Sequence, residues 1–202
     1  MTAGFSDDVS GGVSAVVSAK SLAGMPDVRA ALRRETAPDH ERLDALFGRF
    51  RLDDPTDYRA FLTAHAMALP AVERALDEAG FAALLDDWPQ RRRADAIAAD
   101  LAALGAAIPT PLVAPRLDTP AAQWGAAYVV EGSRLGGALL ARSVPDGLPK
   151  SYLGTPQAPG AWRKFLESLD KHIGLPQDIA QATDTARAVF GLFEQAARNA
   201  TA

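Results

Sequence analysis

Residues 125–142 read GAAYVVEGSRLGGALLAR, and the fold turns on how this stretch is taken. Apolar residues fill both ends, yet Gly132, Ser133, Gly136 and Gly137 sit in the middle. Each interior glycine costs a helix roughly 1 kcal/mol relative to alanine, so three of them give up about 3 kcal/mol. The chain uses alanine freely elsewhere, so these glycines must do something that alanine cannot. Side chains normally hold packed helices about 8–10 Å apart, and removing them along a stripe lets backbone touch its partner. Gly132 and Gly136 are four residues apart and share a face, with Gly137 adjacent. Such a face accepts either a neighbouring helix or a flat ligand, and spacing alone leaves both open. A phosphate loop fits poorly, because no strand precedes the glycines and no lysine follows them.

Outward from this stretch the pattern is helical throughout. Thr119-Pro120 caps and opens the glycine-bearing helix. Upstream, Pro26 is placed to open a first helix carrying Leu32, Leu43, Leu46 and Phe47. Pro38 is expected to interrupt it, with Thr36 and Asp39 restarting it as a weak capping box. A second helix is predicted from Asp54-Pro55 to about Ala79, kinked at Pro70 and stopped by Gly80. A short piece, FAALLDDW, leads into a helix from about Gln90 to Leu104, ended by Gly105. Val144 to Pro159 reads as loop, Ala161 to Ile173 as a helix stopped by Gly174, and Pro176 opens the last helix. The expectation is all-α, with one multi-helical domain over residues 26–202 and a poorly ordered tail over 1–25. The tail has no basic leader and carries Asp7 and Asp8 early, so a signal peptide is not expected and the cytoplasm is the default location.

Composition narrows the chemistry. The chain has 202 residues, enough to bury a core without a staple. It has no cysteine, which removes thiolate metal sites and cysteine nucleophiles. The net charge of −4 argues against a general affinity for nucleic acid or anionic membrane, so any anionic ligand must be met by local cations. No uncharged apolar run is long enough to span a membrane.

Only three histidines are available. His40 in TAPDHERLD has Asp44 one turn on, where a carboxylate can hold one ring nitrogen and leave the other for a metal. The competing reading is a histidine beside acids on a solvated face. His65 in FLTAHAMAL is flanked by Phe61 and Leu69 and reads as a hydrogen-bonded core residue. His172 beside Gly174 reads as a helix-end cap. A flat metallo-ligand needs an axial donor on one side and a thin wall on the other. His40 is a candidate for the first and the glycine helix for the second. Arg33 and Arg34 near one end, and Arg163 and Lys164 near the other, are candidates for meeting its carboxylates.

The pair TAPDHERLD and YVVEGSRLGG resembles the haem oxygenase family, specifically the bacterial branch that supplies biliverdin to phytochromes. The family's proximal histidine in a T-x-x-x-H context matches Thr36 to His40, and its glycine-rich distal helix matches Gly132, Gly136 and Gly137. The resemblance covers about Val28 to Ala197. It implies haem as both cofactor and substrate, sandwiched between a proximal helix and a kinked distal helix. His40 would be the iron ligand, oriented by Asp44, with Arg33 and Arg163 as the best anchors for the propionates. Oxygen would sit beneath Gly132, Ser133 and Gly136. The implied products are biliverdin, carbon monoxide and ferrous iron. No flavin or nicotinamide fingerprint occurs, so electrons would come from a ferredoxin or an NAD(P)H-dependent reductase, and a bacteriophytochrome would receive the biliverdin. In one respect the sequence departs from the pattern: Ser133 stands where many members carry an aspartate. A serine cannot carry the negative charge, which keeps a non-catalytic haem-binding or haem-sensing protein as the rival reading.

Overall fold

The computed structural model describes residues 27–201, so the tail expected over 1–25 and the opening at Pro26 lie outside the described residues. Among the described residues the secondary structure is helical, without a strand. Seven α-helices follow in order: α1 (Val28–Phe47), α2 (Pro55–Glu78), α3 (Trp88–Arg91), α4 (Ala94–Ala103), α5 (Pro120–Leu140), α6 (Ala161–His172) and α7 (Pro176–Ala200).

Most boundaries follow local chemistry. The Asp54 carboxylate accepts from the Thr56 and Asp57 amides, and Pro55 takes the first helical position of α2. Gly80, at φ 75°, turns the chain out after α2. The Thr119 hydroxyl accepts from the Ala122 amide at 3.2 Å and starts α5. That helix then runs unbroken through Gly125, Gly132, Gly136 and Gly137, none of which has a positive φ.

Two expectations are corrected. Pro38 does not interrupt α1, which is continuous from Val28 to Phe47. Thr36 is not a restarting cap: it is buried in mid-helix, its hydroxyl donating to the Leu32 carbonyl at 2.7 Å. Proline removes one backbone donor, and the packing of α1 along α7 outweighs that loss. The helix expected over 90–104 is instead two, α3 and α4, parted at Arg92–Arg93. The cause is tertiary. The buried Glu73 carboxylate, on α2, accepts from the Arg93 amide at 2.8 Å and the Ala94 amide at 3.0 Å. A side chain from another helix thus caps α4, whose own N-cap residue, Arg93, has no acceptor side chain to offer.

The core gathers on α7. Helices α1, α2 and α5 each pack along it, whereas α1 and α5 make little contact with one another. At the α5–α7 crossing every residue from Ala121 to Ala127 is buried. Gly125 lies against the Ala182 backbone so closely that a Cβ there would fall 2.1 Å from the Ala182 carbonyl oxygen. The close helix crossing that glycine permits is therefore at Gly125. Helices α1 and α5 both rest on α7 with little contact between them, and the space that separates them is the candidate cleft.

Candidate functional site

One wall of the cleft is α1. Arg33 and His40 are seven residues apart, two turns, and so lie on one face. The His40 ring sits 5.9 Å from the Phe190 ring of α7, which forms floor beneath it. His40 Nδ1 lies 2.9 Å from Asp44 Oδ2, while its side chain is 63% exposed. With Nδ1 held by the carboxylate, Nε2 is the nitrogen left to bind an electrophile.

The other wall is α5, whose glycines divide into two stripes. Tyr128, Gly132 and Gly136 follow one another at four-residue spacing. A Cβ at Gly136 would meet nothing within 4 Å, and one at Gly132 would meet only the Trp162 ring, at 3.8 Å. Leu135, Leu139 and Leu140 around them are exposed. The second stripe is mixed: Ser133 is exposed with its hydroxyl held by protein partners, and Gly137 packs on protein. Gly137 is buried, and a Cβ there would lie 3.5 Å from the Leu153 carbonyl. The Ser133 hydroxyl donates to the Val130 carbonyl at 2.7 Å and accepts from Arg93 Nη2 at 2.7 Å.

The four candidate cations separate clearly. Arg34 is paired with Glu35 at 2.9 Å, and Lys164 with Asp86 at 2.9 Å and Asp87 at 3.3 Å. Arg163 is exposed, with Glu167 of its own helix 3.9 Å away. Arg33 has no carboxylate partner among the described residues. It stands close enough to α5 to act on Tyr128: burial raises the phenol's pKa, and the Arg33 charge pulls the other way. The structure therefore brings Arg33 and Tyr128 together across the cleft. Tyr128 was not singled out in the sequence, although its position one turn before Gly132 was a signal that could have found it.

The other two histidines are structural. His65 Nδ1 bonds the Phe61 carbonyl at 2.9 Å, and its ring packs among Phe47, Phe61, Tyr152 and Phe193. Burial pushes its pKa down to about 4, against the hydrogen bond to Phe61. His172 Nδ1 takes the Ser168 carbonyl at 2.8 Å at the end of α6.

Behind α5 lies a buried ionic cluster that periodicity did not reveal. Glu131, fully buried, is held by Arg91 from α3 and by Arg134 at 2.9 Å. Arg91 also grips Asp87 through two nitrogens, at 2.8 and 2.9 Å. Arg93 bonds the Val130 carbonyl at 2.7 Å as well as Ser133, and its Cζ lies 5.2 Å from the centre of the Tyr152 ring. Arg93 Nε and one Arg134 Nη are buried with no protein partner, a state usually met by ordered water.

A flat ring with carboxylate tails fits this arrangement. One wall offers a free imidazole nitrogen, the other a stripe whose missing Cβ atoms leave open space, and an unpaired arginine stands at the rim. A groove of about 770 Å³ between α2 and residues 110–118 contains none of these groups. Among the described residues no helix is long and apolar enough to cross a membrane.

Comparison with known proteins points the same way. No family model matches the chain. A "Heme oxygenase" of Xanthomonas campestris pv. campestris (strain 8004) is 30% identical over 146 residues, covering 69% of this chain and 88% of that relative. The crystal structure of the NO- and CO-bound heme oxygenase from Neisseria meningitidis superposes with a TM-score of 0.74, at 23% identity, over 86% of this chain and 92% of that one. The second likeness bears on the fold alone.

Proposed function

The chain belongs to the haem oxygenase family, and on that premise we propose that it binds haem between α1 and α5 and opens the ring with molecular oxygen, releasing biliverdin, carbon monoxide and ferrous iron. The observation that carries this reading is the pairing of two walls. His40 presents a free Nε2 on one side, and Gly136 presents bare backbone facing open space on the other.

The residues divide the work as follows. His40 holds the iron through Nε2, and Asp44 fixes the ring tautomer and keeps the imidazole from swinging. Arg33 and Tyr128 meet a propionate at the rim, with Arg163 as an outer cation. Gly132 and Gly136 let main chain approach the ring plane, with Trp162 closing the end beside Gly132. Gly137 keeps α5 seated on Leu153 from behind. Haem, when bound, supplies both the iron at which oxygen is reduced and the carbon skeleton that is cut. An imidazole ligand is less electron-donating than a thiolate, so His40 does not by itself force early O–O cleavage. Glycine also lowers the cost of bending α5 over the ring, which is where a kink is proposed. Electrons arrive from a ferredoxin or an NAD(P)H-dependent reductase. The reaction is set in the cytoplasm, with a bacteriophytochrome as the acceptor of biliverdin.

One observation favours a second reading, haem binding without turnover. The Ser133 proton is directed at the Val130 carbonyl, and Arg93 already donates to the same oxygen. Ser133 therefore keeps a lone pair for solvent but has no proton to give. In the catalytic reading, water bound to that lone pair and to α5 carbonyls delivers the proton instead.

Hemin titration followed by aerobic reduction separates the two. A sharp Soret band that His40→Ala removes supports the binding site. Replacement of that band by biliverdin absorption on adding reductant and oxygen supports the enzyme. A Soret band that survives reductant and oxygen unchanged for hours leaves only the binder.

A further inference from the structure

The open stripe of α5 is anchored from its protein side by one arginine. Arg93 is 4% exposed, and its Nη2 donates to both the Val130 carbonyl and the Ser133 hydroxyl, each at 2.7 Å. These acceptors bracket Gly132 in the sequence, two residues before it and one after. Arg93 is itself fixed. Its amide donates to Glu73 at 2.8 Å, its guanidinium lies over Tyr152, and it occupies the break between α3 and α4 that Glu73 caps. A glycine-bearing helix segment has few side-chain contacts to fix its height, so an external grip on its carbonyl and next hydroxyl does that work.

We propose that Arg93 is a positioning residue for the haem-facing wall: held at the Glu73-capped start of α4, it clamps Val130 and Ser133 and so sets where the Gly132–Gly136 backbone stands. The inference rests on the reading that this stripe faces haem, but the clamp itself belongs to the protein without ligand. Arg93 touches neither the proposed ring nor its iron ligand and acts only through α5. The titratable and charged groups facing it are Glu73 from α2, Arg134 from α5, Tyr152 from the loop after α5 and His65 from α2.

The test uses the full chain with Arg93→Gln, Arg93→Lys, Ser133→Ala and the Arg93→Gln/Ser133→Ala pair. Amide exchange is followed by mass spectrometry without ligand, and hemin affinity by Soret titration. Losing a buried charge-assisted clamp is expected to raise exchange about tenfold or more in peptides over 128–140, and to weaken hemin by a similar factor. Arg93→Lys, which keeps the charge and much of the stem, is expected to fall between wild type and Gln. It also serves as the readable variant should Arg93→Gln not fold. Ser133→Ala is expected to give part of the effect, with the double variant less than additive. Exchange that rises evenly across all helices in step with a lower melting temperature would overturn the proposal, because that is what a general core residue does. So would unchanged exchange over 128–140 in a folded variant. Failure of the wild-type chain to bind hemin would instead sink the haem reading, leaving the exchange arm to judge the clamp.

Discussion

Gly125 and Gly136 lie on one helix and have opposite surroundings. At Gly125 the Ala182 backbone occupies the volume a side chain would need; a Cβ at Gly136 would meet nothing within 4 Å. The first half of α5 is a buried crossing with α7, and the second half is an exposed apolar stripe with Leu135, Leu139 and Leu140 around it. Both glycines give up the same helix propensity, but only the first recovers it inside the folded chain. The lesson is that small residues in a helix divide by what fills the space they leave. A glycine filled by protein is packing; a glycine whose Cβ would meet nothing is open to something else, which we propose is haem.

The comparison breaks most readily at Gly125. A Cβ at 2.1 Å from a carbonyl oxygen forces α5 and α7 apart, so Gly125→Ala is expected to lose about 3 kcal/mol or more, read as a lower denaturant midpoint, or not to fold. If it melts like wild type, the crossing is not as close as described. A similar contrast exists between histidines, one boxed and one open. The folded-state pKa of His65, about 4, lies below the ordinary value of 6.5. The unfolded chain therefore takes up the proton first, so stability is full above pH 6.5, falls as pH drops toward 4, and levels off below that. The total loss is about 3 kcal/mol, and His65→Gln is expected to flatten it in denaturant titrations between pH 7 and 4. The smallest effect on the fold is expected at Gly136. Gly136→Ala enters open space and improves helix propensity, so the ligand-free protein gains up to about 1 kcal/mol in thermal melts. Its hemin affinity or turnover is expected to fall. A variant gaining stability with affinity and turnover intact would remove Gly136 from the site.

Much of the fold was legible because its signals are local. Thr119-Pro120, Asp54-Pro55 and Gly80 each carry their own capping chemistry within a few residues. What escaped was set by distant partners. Pro38 removes one hydrogen bond locally, while the burial of Leu32 and Thr36 along α1 outweighs that loss. The break at Arg92–Arg93 depends on Glu73, twenty residues upstream, whose role as a cap no window on residues 90–104 contains. At the site, the spacing of His40 to Asp44 was readable because both lie on one helix. Which of Arg33, Arg34, Arg163 and Lys164 remained unpaired was not, because their partners are fixed by tertiary geometry. The role of Gly125, at the head of the stretch, is not legible there, since one glycine among alanines gives no stripe.

Neither wall of the cleft leans on the other; both stand on α7. The gap between them is thus governed by a third party, whose bulk at Phe190 works like the sole plate of a vice. On the proposed reading, shaving or thickening that plate retunes the jaw opening without altering either jaw, which makes α7 the natural handle for fitting macrocycles of other girth.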